Sequence, residues 1–249
     1  MKAAAAVRVW RLQIHDVLPS TSDLCRTLAA DGEPDGLAVL ARRQSSGRGS
    51  RGRGWTTPPG NLALSVLLRP DLAPRDAAQM SLLAGVAVAE TVAEFLPFPS
   101  SPALALKWPN DVLLDGGKLA GILTESHGTG AVIDWVVLGI GVNLAHAPEL
   151  PDRRTARLPV PADAENFARV LLERLGHWLD VLDADGFAPI RAAWRTHALQ
   201  LGSAMTLKLG GQEYAGAFAG LGDDGGLCLA IDGTIRNFTA GDVLLPNGG

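Results

Sequence analysis

Two stretches carry the residue types that handle anions. The first is Gly47-Arg48-Gly49-Ser50-Arg51-Gly52-Arg53-Gly54-Trp55, with three guanidinium groups set among glycines beside a flat indole. Glycine lets a backbone wrap a ligand with its N–H groups exposed, and arginine presents a rigid fork to carboxylate or phosphate oxygens. The same string matches G-x-G-x-x-G, the dinucleotide-binding pattern. That pattern must open a helix, and here Thr56, Thr57, Pro58 and Pro59 follow, so the match is rejected. A loop whose arginines are simply solvated remains an equal reading of the stretch by itself.

The second stretch runs from Lys107 to Glu125. The chain has only four lysines, Lys2, Lys107, Lys118 and Lys208, and two of them fall here. Lys118 opens an apolar strand, and strict alternation predicts that Ala120, Ile122 and Thr124 share its face. A buried ammonium needs an anionic partner. A bound carboxylate or phosphate would serve, and so would Asp111 across the turn at Asp115-Gly116-Gly117. Gly121 would allow close backbone approach or mark a bulge. Further on, Gly139-Ile140-Gly141-Val142-Asn143 ends a strand with an amide that either faces a ligand or sits in an ordinary turn.

The elements that must position these groups alternate between strands and helices. Strands are expected at 7–15, 36–42, 61–69, 104–107, 111–114, 118–125 and 132–142, with helices at 23–30, 75–95, 163–182 and 187–200. Residues 44–60 must be a loop, and an Arg- and Pro-rich loop covers 146–161. The helix at 75–95 is the clearest, with Pro74 at its start, Met80, Leu83, Ala84, Ala87 and Val88 at helical spacing, and Pro97, Pro99 and Pro102 to stop it. After Gly202 short segments at 204–209, 213–220, 227–231, 234–238 and 242–245 are separated by turns, which suggests a small β-barrel and a domain boundary near residue 200.

The totals fit a 249-residue chain with a sizeable core, since 47% of it is hydrophobic and 19% charged. A net charge of −4 gives no general attraction to nucleic acid. Cys25 and Cys228 lack metal-ligand spacing and form no disulfide framework, so a reducing cytoplasm is expected. Nothing at the N-terminus reads as a secretory signal, and the longest apolar run is too short for a bilayer span.

In their order and combination, Ser20-Thr21-Ser22, Gln44 through Trp55, KWPNDVLLDGGKLAGIL at 107–123 and GIGVN at 139–143 resemble the catalytic domain of biotin–protein ligases. The resemblance covers nearly the whole chain. It implies an α+β fold, a mixed and mostly antiparallel sheet flanked by helices as in class II aminoacyl-tRNA synthetases (residues 1–200), followed by an SH3-like C-terminal β-barrel (201–249). The implied reaction joins biotin to ATP, with Mg2+, as biotinyl-5′-AMP, and then transfers biotin to a lysine of a carboxylase's biotin carboxyl carrier domain. Carried over by position, Ser20, Thr21, Ser22, Gln44, Arg48, Gly49, Ser50, Lys118 and Gly121 would contact biotin. Arg51, Arg53, Trp55 and Asn143 would contact the nucleotide. Arg48, Lys118 and Asp111 would serve the chemistry, and no protein metal ligand is assigned.

Ser50 departs from the loop of better-studied relatives, which reads GRGRRGR, so weaker retention of the adenylate is expected. The first strand begins too early for a DNA-binding domain to precede it, so no repressor role is expected. A homodimer through a sheet edge is compatible with the resemblance. The related lipoate or octanoate ligases, and a non-catalytic binder of biotin or nucleotide, are the alternatives. The KWPND segment favours biotin, and the presence of both Arg48 and Lys118 favours catalysis.

Overall fold

The computed structural model describes residues 8–97, 103–151 and 153–246. Pro99, Pro102 and the residues before Arg8 lie outside them, so the expected helix stops at those prolines and the expected strand start at Val7 are not described.

Seven strands form one sheet in the order β1-β2-β3-β7-β6-β5-β4. They are β1 (Arg11–Leu18), β2 (Leu37–Gln44), β3 (Leu62–Leu68), β4 (Leu104–Lys107), β5 (Asp111–Leu114), β6 (Gly117–His127) and β7 (Trp135–Val142). β1 runs parallel to β2, and every other neighbouring pair is antiparallel. The sheet is therefore mixed and mostly antiparallel, as the resemblance implied. β1 starts four residues later and ends three residues later than the sequence pattern suggests. Its ladder with β2 begins at Arg11↔Leu37, and Pro19 follows its last residue. As an edge strand it buries little, so apolar periodicity located it poorly.

Helices cover both faces of the sheet. α1 (Thr21–Ala30) lies on one face, where Cys25 and Ala29 pack with Leu37, Val39, Leu67 and Val137. On the other face are α2 (Ala77–Phe95), α3 (Ala164–Asp185) and α4 (Phe187–His197). α2 is buried all round from Gln79 to Ala89, because the sheet lies on one side of it and α3 and α4 on the other. That explains its nearly continuous apolar sequence. Among the described residues no helix is long and apolar enough to cross a membrane.

Strand alternation decides where a ligand can enter. Along β7, Val136, Leu138, Ile140 and Val142 point into the large core under α2, while Val137, Gly139 and Gly141 point to the α1 face. Along β3, Leu62, Leu64, Val66 and Leu68 join the large core, leaving Ala63, Ser65 and Leu67 opposite. On the α1 face, therefore, Val137 and Leu67 meet the helix. Beyond its N-terminal end the side chains shrink to Ser65, Gly139, Ala63 and Gly141, and a trough opens.

The C-terminal part is a second, antiparallel sheet of five strands, β8 (Ala204–Leu209), β9 (Gln212–Leu221), β10 (Leu227–Ile231), β11 (Thr234–Phe238) and β12 (Asp242–Leu244), in the order β11-β10-β9-β8-β12. Its Met205, Phe218, Leu227 and Val243 pack with Leu106 and Trp194 of the larger part. Trp108 donates its indole N–H to the carbonyl of Gly225 at 3.0 Å. The core is thus continuous between the two sheets.

Candidate active site

The trough is a cleft enclosing about 420 Å³, including its open mouth. Its floor is built by neighbouring strands, because Gly121 of β6 pairs with Gly141 of β7, and Leu123 with Gly139. Without side chains at three of these positions, a ligand can lie against the backbone.

One end of the cleft is lined with hydroxyls. Ser20 caps α1, accepting a 3.3 Å bond from the Asp23 N–H, and this fixes the helix start so that Thr21 and Ser22 face the trough. Thr21 Oγ1 lies 2.7 Å and Ser22 Oγ 3.0 Å from Ser65 Oγ. Gln44 Oε1 accepts from the Thr21 N–H at 2.8 Å, and Gln44 Nε2 donates to Thr57 Oγ1 at 3.1 Å. Hydroxyls both donate and accept, so this end suits a compact neutral group with N–H and C=O edges.

The other end carries charge. Lys118 Nζ lies 2.5 Å from Asp111 Oδ1, and Lys107 Nζ is 3.8 Å from Asp111 Oδ2. All three side chains are largely buried. Burial pushes the Lys107 ammonium below its usual range, and the Asp111 carboxylate counters that only in part. Both partners considered for Lys118 are therefore compatible, because it pairs with Asp111 and still lines the cleft.

The expected facing of β6 needs correction. Between β5 and β6 the register moves from Val112↔Ala120 to Leu113↔Lys118, which leaves Leu119 as the extra residue of a bulge. Leu119 and Ala120 are both fully buried in the core. The alternation resets there, and Lys118 shares its face with Gly121 and Leu123, not with Ala120 and Ile122. A Cβ on Gly121 would lie 3.1 Å from the Lys118 Nζ.

The Arg/Gly loop folds over the mouth as a tight hairpin. Trp55 N–H donates to Gly47 C=O at 2.9 Å and Gly49 N–H to Arg53 C=O at 2.8 Å. A Cβ on Gly47 would sit 2.2 Å from the Trp55 carbonyl oxygen, so glycine is required there. Arg48, Gly49, Ser50 and Trp55 line the cleft. The Trp55 ring rests on the Gly121 and Gly141 backbones, with Lys118 Nζ 5.7 Å from its centroid, and its Nε1 is buried with no hydrogen-bond partner.

Four predicted residues are not brought to the cleft. Ser20 is taken up in capping. Asn143 is buried behind the site, donating to the carbonyls of Ala156 at 3.0 Å and Lys118 at 3.3 Å. Arg51 reaches the C-terminal sheet, where it pairs with Asp242 at 2.8 Å and bonds the Gly241 carbonyl. Arg53 folds back on Ser50. The sequence reading missed Ser65, Asn110, Asp23 and Glu125. Of these Ser65 carries a legible signal, as the one polar residue inside LALSVLL.

Comparison with known proteins bears on this geometry. The sequence matches the model of the biotin/lipoate A/B protein ligase family over residues 15–143 and that of the biotin protein ligase C-terminal domain over 201–245. It is 42% identical over 200 residues to a biotin–[acetyl-CoA-carboxylase] ligase of Paracoccus denitrificans, covering 77% of this chain and 82% of that one. It is 36% identical over 233 residues to the protein of the same name from Mycobacterium tuberculosis, covering 90% and 85%. A solved biotin protein ligase from Aquifex aeolicus, in complex with biotin and ATP, superposes with a TM-score of 0.78 at 27% identity, covering 94% of this chain and 97% of that one.

Proposed function

The chain belongs to the biotin/lipoate A/B protein ligase family as a biotin–protein ligase, and on that premise we propose how its cleft works and what it serves. One observation carries the reading: a glycine floor runs between a hydroxyl-lined end and a Lys118–Asp111 pair, with Arg48 above it. Biotin has a neutral ureido ring at one end and a carboxylate at the other, which suits these two ends.

In the first step a carboxylate oxygen of biotin attacks the α-phosphorus of ATP. The new C–O–P bond forms as the bond to pyrophosphate breaks. An anion approaching a polyanion is repelled, so Lys118 and Arg48 lower the barrier by offsetting that charge. Little covalent help is needed from the protein. In the second step a carrier lysine attacks the acyl carbon, an amide forms, and AMP leaves with the electron pair. Asp111 holds Lys118 in place and is the carboxylate available to the departing amine proton. In this reading Arg51 and Arg53 serve the nucleotide side by giving up their contacts to Asp242 and Ser50 when ATP binds. Among the described residues no group of three or more His, Cys, Asp or Glu side chains could hold a metal. In this reading Mg2+ accompanies the ATP phosphates. Residues 1–200 form the ligase domain in this reading and 201–249 the C-terminal domain. The acceptor is the biotin carboxyl carrier domain of a carboxylase. The net charge of −4 supports no operator-binding role.

The test is ATP–pyrophosphate exchange with biotin, lipoate or octanoate as the acid, run beside Lys118→Ala. Exchange is expected with biotin alone, and the variant is expected to lose about a thousandfold. At an effective dielectric of 20, a charge 4 Å from the developing anion contributes about 4 kcal/mol. Exchange driven by lipoate, or an unimpaired variant, overturns the assignment.

A further inference from the structure

The mechanism above leaves two carboxylates beside the cleft without a task. Arg48 Nη1 donates to Asp23 Oδ1 at 2.6 Å and to Glu125 Oε2 at 3.3 Å, and its Nη2 donates to Glu125 Oε1 at 2.8 Å. Glu125 therefore grips the end of the guanidinium with both oxygens. It stands on β6, the strand that supplies Lys118 and Gly121, while Asp23 stands in the first turn of α1, directly after Thr21 and Ser22. Both walls of the cleft reach out to one side chain of the loop between them. Arg26 completes the cluster, 3.4 Å from Glu125 and 3.3 Å from Asp23, so two cations face two anions.

Such a cluster on an exposed face would mean little. This one differs in two respects. Glu125 is 19% exposed and Arg48 36%, and the fork-to-fork geometry fixes direction as well as distance. Partial burial opposes the Arg48 charge, yet its hydrogen bonds to Asp23 and Glu125 and their negative charge outweigh that and push its pKa up. Of the five N–H donors of Arg48, three are engaged. The two left, on Nε and Nη2, lie along one edge of the guanidinium and make a second fork.

We propose that Glu125, assisted by Asp23, is a positioning residue for Arg48, holding the end of its guanidinium so that the Nε–Nη2 edge stays available to the carboxylate–phosphate junction of the ligand. The proposal rests on the reading of Arg48 given above. Its consequence is retention. A loop arginine fixed to a strand and a helix keeps the cleft closed over biotinyl-AMP, and one released from them lets the adenylate escape.

The experiment uses the full chain and compares wild type with Glu125→Gln, Asp23→Asn/Glu125→Gln, Arg48→Ala and Arg48→Ala/Glu125→Gln. The readouts are the escape rate of biotinyl-AMP formed on the enzyme, the KM for biotin in pyrophosphate exchange, and Tm. Glu125→Gln is expected to raise escape about tenfold, the double carboxylate variant to raise it further, and Glu125→Gln to add nothing when Arg48 is already alanine. Arg48→Lys keeps the charge but has no fork, and is expected to behave as Glu125→Gln does. It supplies the answer if Glu125→Gln folds poorly. The proposal is overturned if Arg48→Ala leaks while Glu125→Gln and Arg48→Lys do not, or if the Glu125 effect adds in full to that of Arg48→Ala. If Arg48→Ala itself changes nothing, the assignment of Arg48 fails first and takes this inference with it.

Discussion

Replacing Gly141 with alanine tests the floor of the cleft directly. A Cβ there would sit 2.2 Å from Trp55 Cε2, 2.3 Å from Nε1 and 2.6 Å from Cζ2. Ordinary contact begins at 3.4 Å, so one of the two must move by about 1.2 Å, the difference between 3.4 and 2.2. The backbone cannot yield, because β7 is laddered on both sides, to Ala63 of β3 and to Gly121 of β6. The indole must therefore lift. Giving up about 100 Å² of ring contact costs about 2.5 kcal/mol at 25 cal/mol per Å². Lifting also exposes the unpartnered Nε1 donor to water, which returns about 1–3 kcal/mol. The two terms nearly cancel, so Tm should move by less than about 5 °C. Biotin meets the methyl group without that compensation. An extra methyl in a packed contact costs about 1–3 kcal/mol, or about 5- to 150-fold in affinity. Titration calorimetry of biotin into the Gly141→Ala protein measures this. Gly121→Ala should be milder, because its nearest neighbours are the flexible end of Lys118 at 3.1 Å and the Trp55 ring at 3.3 Å. Wild-type biotin affinity in Gly141→Ala, or greater damage from Gly121→Ala, would refute the placement of biotin on this floor.

Asn143→Ala should lower stability by about 1–3 kcal/mol, since the Ala156 and Lys118 carbonyls lose a buried donor, and should leave the KM for ATP within about twofold. A raised KM at unchanged Tm would restore Asn143 to the nucleotide side. Ser50→Arg should slow escape of biotinyl-AMP, and equal escape rates would remove Ser50 from the account of retention. Burial pushes the Cys25 thiol up to about 12 from 9.0. Because the folded pKa is the raised one, the stabilisation is complete below pH 9, declines as the pH climbs, and is lost above about 12. At pH 8 the folded chain should carry about 1000-fold less Cys25 thiolate than the unfolded chain, so alkylation followed by mass spectrometry should find Cys25 modified only after denaturation.

Much of the fold was legible in the sequence, for identifiable reasons. Helix α2 announced itself through near-continuous apolar spacing and the proline at its start. The two-residue turn at Asp115-Gly116 joined β5 to β6 as its residues required, with positive φ at both. The site was legible in the order and combination of its motifs, because the Arg/Gly loop and the Lys118 segment by themselves each allowed a bland reading. Direction was less legible. Alternation assigned Lys118 to the wrong set of neighbours because it assumed an unbroken strand. The Leu119 bulge depends on how β5 and β6 pair, and no local signal records it. Asn143 read as a ligand contact because its position follows the Gly-x-Gly strand end, yet its amide answers to carbonyls of Lys118 and Ala156, which the fold brings there from other segments.

The trough exposes the same distinction between residue type and placement. Ser65, Gly121, Gly139 and Gly141 come from three strands, of which only β6 and β7 are consecutive in the chain as well as neighbours in the sheet. Gly121 meets Gly141 across the β6–β7 pair, whereas Ser65 meets Gly139 only once β3, from much earlier in the chain, joins the other edge of β7. Each small residue alone weakens its strand by removing packing. Together, on one face and beside the N-terminal end of α1, they make a space in which a ligand supplies the packing that is missing. The same strands bury Leu64, Val66, Leu138, Ile140 and Ile122 on the opposite face, so the sheet is secured from below while its upper face is left open. The cleft therefore follows from the sheet's own alternation: one face is given to the core, and the other to Trp55 in the unliganded protein and, in the reading advanced above, to biotin during the reaction.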